Sequence, residues 1–157
     1  MSTELEELYQ EVILDHSRRP RNFGALEHPD VLVHGDNPSC GDEIHLGVHF
    51  GPGETLAEIK FSGQGCAISQ ASASMMTMKL KGKTRDEAHA LGAAFKDLVT
   101  SSASSASSQS APKLGDLQLL AGVRKFPQRV KCAMLPWRAV EQALAETHGE
   151  SSISTEL

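Results

Sequence analysis

Apolar residues change their spacing twice along this chain, and the changes divide it into elements. Near the N-terminus Leu5, Leu8 and Val12, flanked by Tyr9 and Ile13, recur at helical spacing and predict an amphipathic helix over residues 4–17. Pro20 ends it, and Arg18-Arg19-Pro20-Arg21-Asn22-Phe23-Gly24 follows as a basic loop. The period then drops to two. Val31-Leu32-Val33-His34 reads as a short strand. After the turn at Asn37-Pro38-Ser39, Ile44, Leu46, Val48 and Phe50 alternate with Glu43, His45, Gly47 and His49, the pattern of a strand with one buried and one polar face. Gly51-Pro52-Gly53 turns the chain, and Ala57, Ile59 and Phe61 alternate with Glu58, Lys60 and Ser62 as the hairpin partner.

The second half is helical. Ile68, Ala71, Met75 and Met78 predict one face of a helix over 67–81, with Gly82 as its stop. Thr84-Arg85-Asp86-Glu87 has the form of a capping box, and Ala88, Leu91, Phe95 and Leu98 give the helix behind it an apolar face. Leu114 to Val123 reads as helical. Phe126-Pro127-Gln128-Arg129-Val130-Lys131 reads as a connector into a last helix whose buried stripe is Trp137, Val140 and Leu144. Proline is tolerated in a first turn, so Pro136 predicts that Cys132 stands at or just before that helix start. The tail 148–157 is expected to fray. The sum is an α+β fold: a small three-stranded antiparallel sheet packed against several helices.

A length of 157 residues fits a single domain spanning 1–157. The Ser-rich stretch 100–112 lacks apolar side chains to bury, and is read as an exposed insertion within that domain. Aromatics make up only 4% of the chain, so Leu, Val, Ile, Met and small residues must fill the core. The net charge is -5 and no block of Lys or Arg stands out, which disfavours nucleic-acid binding. No run of about 18 apolar residues predicts a membrane span, and the acidic start Met1-Ser2-Thr3-Glu4 lacks the basic opening of a secretory signal. The expected compartment is the cytoplasm.

The three cysteines are an odd set for a disulfide framework. They leave three readings: structural thiols, a reactive nucleophile or metal ligands. Cys40 follows a turn and is succeeded by Gly41 and Asp42. Cys66 follows Ser62-Gly63-Gln64-Gly65, where strand gives way to helix, and Cys132 is placed near the last helix start. A helix N-terminus and a cation such as Lys131 favour thiolate. Three thiolates with the Asp42 carboxylate would make a tetrahedral set suited to zinc. The separations, 26 residues and then 66, match no short zinc-finger spacing, so metal ligation and structural thiols stand about level here. The seven histidines are scattered and read as surface or loop residues. Met75, Met76 and Met78 read as core.

Three segments together have a familiar form: Asn37-Pro38-Ser39-Cys40-Gly41-Asp42, Gly63-Gln64-Gly65-Cys66-Ala67-Ile68-Ser69-Gln70-Ala71-Ser72-Ala73-Ser74, and Lys125-Phe126-Pro127-Gln128-Arg129-Val130-Lys131-Cys132-Ala133. They strongly resemble the SufU branch of the IscU/NifU N-terminal family over about residues 5–146. Lys131 stands where IscU scaffolds carry a histidine, and the insertion near 100–113 is a feature of the SufU branch. The resemblance implies an IscU-like α+β fold with Cys40, Asp42, Cys66 and Cys132 gathered around zinc. It implies that Cys40 accepts persulfide sulfur from a pyridoxal-phosphate cysteine desulfurase of the SufS type, that Arg129 serves the partner interaction, and that downstream iron–sulfur assembly proteins receive the product. The alternative is a scaffold on which an iron–sulfur cluster is assembled and transferred, and a third reading is a zinc-stabilised interaction module.

Overall fold

The computed structural model describes residues 11–100, 114–146 and 148–154. The insertion expected at 100–112 therefore lies outside the described residues apart from Thr100, as does the predicted helix before Glu11. Among the described residues, five helical and four extended segments position the site, apart from a three-residue 3-10 turn at Pro52–Glu54. In chain order they are α1 (Glu11–Arg18), β1 (Val31–Asn37), β2 (Asp42–Gly51), β3 (Thr55–Gln64), α2 (Ala67–Leu80), α3 (Arg85–Thr100), a 3-10 run (Gly115–Lys125), α4 (Pro127–Leu144) and β4 (Gly149–Ser154).

The alternation read from the sequence sets the sheet. Val31 and Val33 of β1, Ile44, Leu46 and Val48 of β2, and Leu56, Ile59 and Phe61 of β3 all point into the core. β2 pairs antiparallel with both neighbours, and its ladder with β3 shifts register at His49/Phe50. On the opposite face His34 and His45 are cross-strand partners whose rings stack 4.6 Å apart. The sheet is mixed rather than purely antiparallel. A fourth strand, β4, pairs parallel with β1 and gives the order β3-β2-β1-β4. Gly149–Ser154, part of the tail expected to fray, forms this edge strand, with Ile153 packed on the core beside Gly35, while residues 155–157 lie outside the described residues.

α4 lies across β1 and β2, and α2 packs between α1 and α4. The one-sided face predicted for α2 is not what forms. Ile68, Ser69 and the whole run Ala71–Thr77 are buried, while Met78 is exposed. A helix enclosed on most sides needs small residues for close approach and partners for its hydroxyls. Ser72 Oγ donates to the Ala133 carbonyl at 2.7 Å and accepts from Trp137 Nε1 at 3.2 Å. Ser74 Oγ meets His16 Nδ1 at 2.7 Å. His16 is therefore a buried histidine and not a surface one, and burial lowers its pKa below 6.5.

The capping box forms as predicted: Glu87 Oε1 accepts from the Thr84 amide at 2.9 Å, and Thr84 Oγ1 from the Glu87 amide at 3.1 Å. The start of α4 differs from the expectation. Pro127 is the first-turn proline, so the helix begins five residues before Cys132, and Pro136 sits inside it. Proline has no N–H, so the Cys132 carbonyl lacks its ordinary helical donor at residue 136. Trp137, stacked on Phe95 at 4.9 Å, holds this stretch of helix in the core.

A candidate metal centre

The β1–β2 hairpin carries the first two site residues. Asn37 and Asp42 are the last paired positions of the ladder. Between them the Asn37 carbonyl accepts from the Cys40 amide at 3.1 Å and the Gly41 amide at 3.0 Å. Gly41 has φ +72°, a left-handed backbone that suits glycine, and it returns the chain into β2. Cys40 is left half-buried on the turn, and Asp42 is only 1% exposed.

Cys66 arrives from the other side as the N-cap of α2. Its amide donates to Asp42 Oδ1 at 2.8 Å. That approach explains Gly65. A Cβ there would lie 2.6 Å from Asp42 Oδ1 and 2.4 Å from Ser69 Oγ, so the residue is glycine for space. Cys132, fully buried in the second turn of α4, completes the group, with its sulfur 3.5 Å from the Gln128 carbonyl.

Ligand atoms of Cys40, Asp42 and Cys132 lie within 4.8 Å of one another. Cys66 falls outside that mutual limit but is joined to the group by a hydrogen bond between its sulfur and the Cys132 thiol. Of the four predicted ligands, three are thus brought together and the fourth stands against them. No histidine belongs to the group among the described residues. Arg129 is half-buried in the first turn of α4, three residues before Cys132.

The electrostatics show why this cluster suits a cation. The hydrogen bond from Cys132 draws the Cys66 thiol down to about 6, against burial that raises it. The same bond, then burial and the charge on Cys66, pushes the Cys132 thiol far up. One proton leaves easily and the next is strongly retained. A positive ion beside the two thiols would offset their mutual repulsion and let both ionise. Sulfur with one oxygen is a donor set that fits zinc.

Sequence reasoning missed Asn37 as part of the site. It is fully buried, and its Nδ2 donates to Asp42 Oδ2 at 3.1 Å and to Cys132 Sγ at 3.6 Å. Its signal was present: extending the alternation Val31, Val33, Gly35 places a polar residue on the buried face of β1.

No described helix is long and apolar enough to cross a membrane. Among similar proteins, the zinc-dependent sulfurtransferase SufU of Bacillus subtilis (strain 168) is 42% identical over 145 residues, covering 92% of this chain and 95% of that protein. The iron–sulfur cluster assembly scaffold protein IscU of Streptococcus pyogenes serotype M1 is 43% identical over 142 residues, 90% of this chain and 86% of that protein. A crystal structure of a hypothetical protein superposes with a TM-score of 0.79 at 42% identity, covering 90% of this chain and 99% of the other. The model of the NifU-like N-terminal domain matches residues 8–133, and the chain belongs to that family.

Proposed function

We propose that this chain is a zinc-dependent sulfur acceptor of iron–sulfur cluster assembly, which takes persulfide sulfur onto Cys40 from a SufS-type cysteine desulfurase. The observation that carries the reading is the asymmetry of the converging donors. Asp42 and Cys132 are buried, whereas Cys40 sits half-buried on a turn that a partner can approach. The naming of a relative as a zinc-dependent sulfurtransferase supports it.

Cys40, Asp42, Cys66 and Cys132 are the proposed zinc ligands, and bound zinc would favour the thiolate form of the cysteines at neutral pH. The transfer is thiol–disulfide chemistry. The Cys40 thiolate attacks the outer sulfur of the desulfurase persulfide. A new S–S bond forms on Cys40, the old one breaks, and its electron pair leaves on the desulfurase cysteine as thiolate. Atoms and charge balance without an external oxidant. Asp42, a hard donor among soft ones, is the proposed weak point through which Cys40 is freed. Arg129, about one turn before Cys132, is proposed to contact the desulfurase. Downstream iron–sulfur assembly proteins would then take the sulfur.

Incubation with a SufS-type desulfurase and cysteine, followed by mass spectrometry, tests the reading. A gain of about 32 Da, one sulfur atom, is expected on Cys40 and is expected to vanish in Cys40→Ser, since the accessible thiolate is the nucleophile. Sulfur found on Cys66 or Cys132 instead, or none at all, contradicts it.

The same sulfur-rich donors could ligate a cluster, and one relative is named a scaffold. Anaerobic reconstitution separates the two readings: a stable chromophore that passes to an apo-protein favours the scaffold.

A further inference from the structure

We propose that Asn37 is a positioning residue of the metal centre, a side chain that sets the Asp42 carboxylate and the Cys132 sulfur in register with each other. The inference rests on the metal-binding reading of the site. Its basis is how many of the site's parts converge on one buried residue. Asn37 Nδ2 reaches Asp42 Oδ2 at 3.1 Å and Cys132 Sγ at 3.6 Å, and so ties the hairpin to α4. Its carbonyl takes the Cys40 and Gly41 amides. One residue thus touches the turn that carries Cys40, the carboxylate and the helix-borne sulfur.

The chemistry of the side chain suits this role. A carboxylate and a thiolate only accept hydrogen bonds, so their neighbour must donate. An amide NH₂ offers two N–H groups and carries no charge. It orients anionic ligands without repelling them and without competing strongly for the metal. Asp42 has Oδ1 on the Cys66 amide and Oδ2 on Asn37, so both oxygens are held and the carboxylate plane is fixed. Outer partners of this kind hold ligands in the geometry a metal requires. Leu at 37 would keep the shape and the backbone turn but leave Oδ2 without that donor. Thr would keep a single hydroxyl donor.

The test compares the full chain with Asn37→Leu and Asn37→Thr. Zinc affinity is read by competition with a chromophoric chelator, cobalt coordination by the visible ligand-field bands, and the metal-free fold by circular dichroism and thermal unfolding. Asn37→Leu is expected to bind zinc about 10–100-fold more weakly, with altered cobalt band position or intensity and a metal-free fold retained. Asn37→Thr is expected to lie between it and the wild type, and carries the test if Asn37→Leu does not fold. Wild-type affinity and an unchanged cobalt spectrum in the folded variants would overturn the proposal. So would weaker binding that merely follows a destabilised metal-free fold while the cobalt spectrum stays unchanged. A wild-type chain that binds neither metal overturns the metal-binding reading itself, a result distinct from failure of the variants alone.

Discussion

Cys40 and Asp42 reach the centre from a hairpin turn, whereas Cys132 reaches it from inside an 18-residue helix. The turn side is held by polar contacts: the Asn37 carbonyl under two amides, the Asn37 side chain on the carboxylate, the Cys66 amide on Oδ1, and the space at Gly65. The helix side is held by burial. Cys132, Ala133, Leu135 and Trp137 are all essentially inaccessible, and Ser72 closes the polar ends of the packing. The contrast teaches a division of labour. The turn determines where the proposed ligands point and how readily Cys40 is reached, and the helix supplies a fixed sulfur against which the turn is set. Damage to the turn should weaken metal binding more than it weakens the fold, and damage to the helix seat should do the reverse.

The sharpest way to break this division is Gly65→Ala. The added methyl meets Asp42 Oδ1 and Ser69 Oγ inside contact distance. Ser69 can rotate away, but the carboxylate can yield only by leaving the Cys66 amide. Zinc affinity, measured by chelator competition, is expected to fall about 10–100-fold, the usual cost of losing an outer-shell partner, with little change in metal-free melting. Unchanged affinity would show that the Asp42–Cys66 contact does not set the centre.

Ser72→Ala gives a smaller effect in the opposite direction. It leaves Trp137 Nε1 and the Ala133 carbonyl each short of a buried partner. The expected cost of about 1–3 kcal/mol corresponds to a melting temperature lower by roughly 3–10 °C for a chain of this size. Zinc affinity should stay within about threefold of wild type, since the direct partners of the ligands are intact. A parallel loss of affinity would mean that the two sides are not separable.

These two regions also differ in how far the sequence revealed them. The hairpin turn was legible because Gly41 and the period-two pattern of β2 are local signals, and they put Cys40 and Asp42 on one turn. The helix was misplaced because either Pro127 or Pro136 can serve as a first-turn proline. Pro136 inside a helix goes against local preference, and packing of its neighbours Leu135 and Trp137 overrides that preference. β4 gave no warning, since Gly-Glu-Ser-Ser-Ile-Ser has one apolar residue and gains its pairing only from β1. His16 reads as polar, yet it is buried because Ser74, far along the chain, offers a hydroxyl. The burial of Asn37 is legible in the alternation of β1, but its role is not: that depends on Asp42 and Cys132 meeting it in space, and no spacing along the chain encodes it.

Central to this account is that three sulfurs and one carboxylate share a single ion. X-ray absorption at the zinc edge of the purified 157-residue chain tests it most directly. The account predicts one zinc per chain with three sulfurs at about 2.3 Å and one oxygen at about 2.0–2.2 Å. A shell built from nitrogen and oxygen alone, or protein that holds no stoichiometric metal, would contradict it.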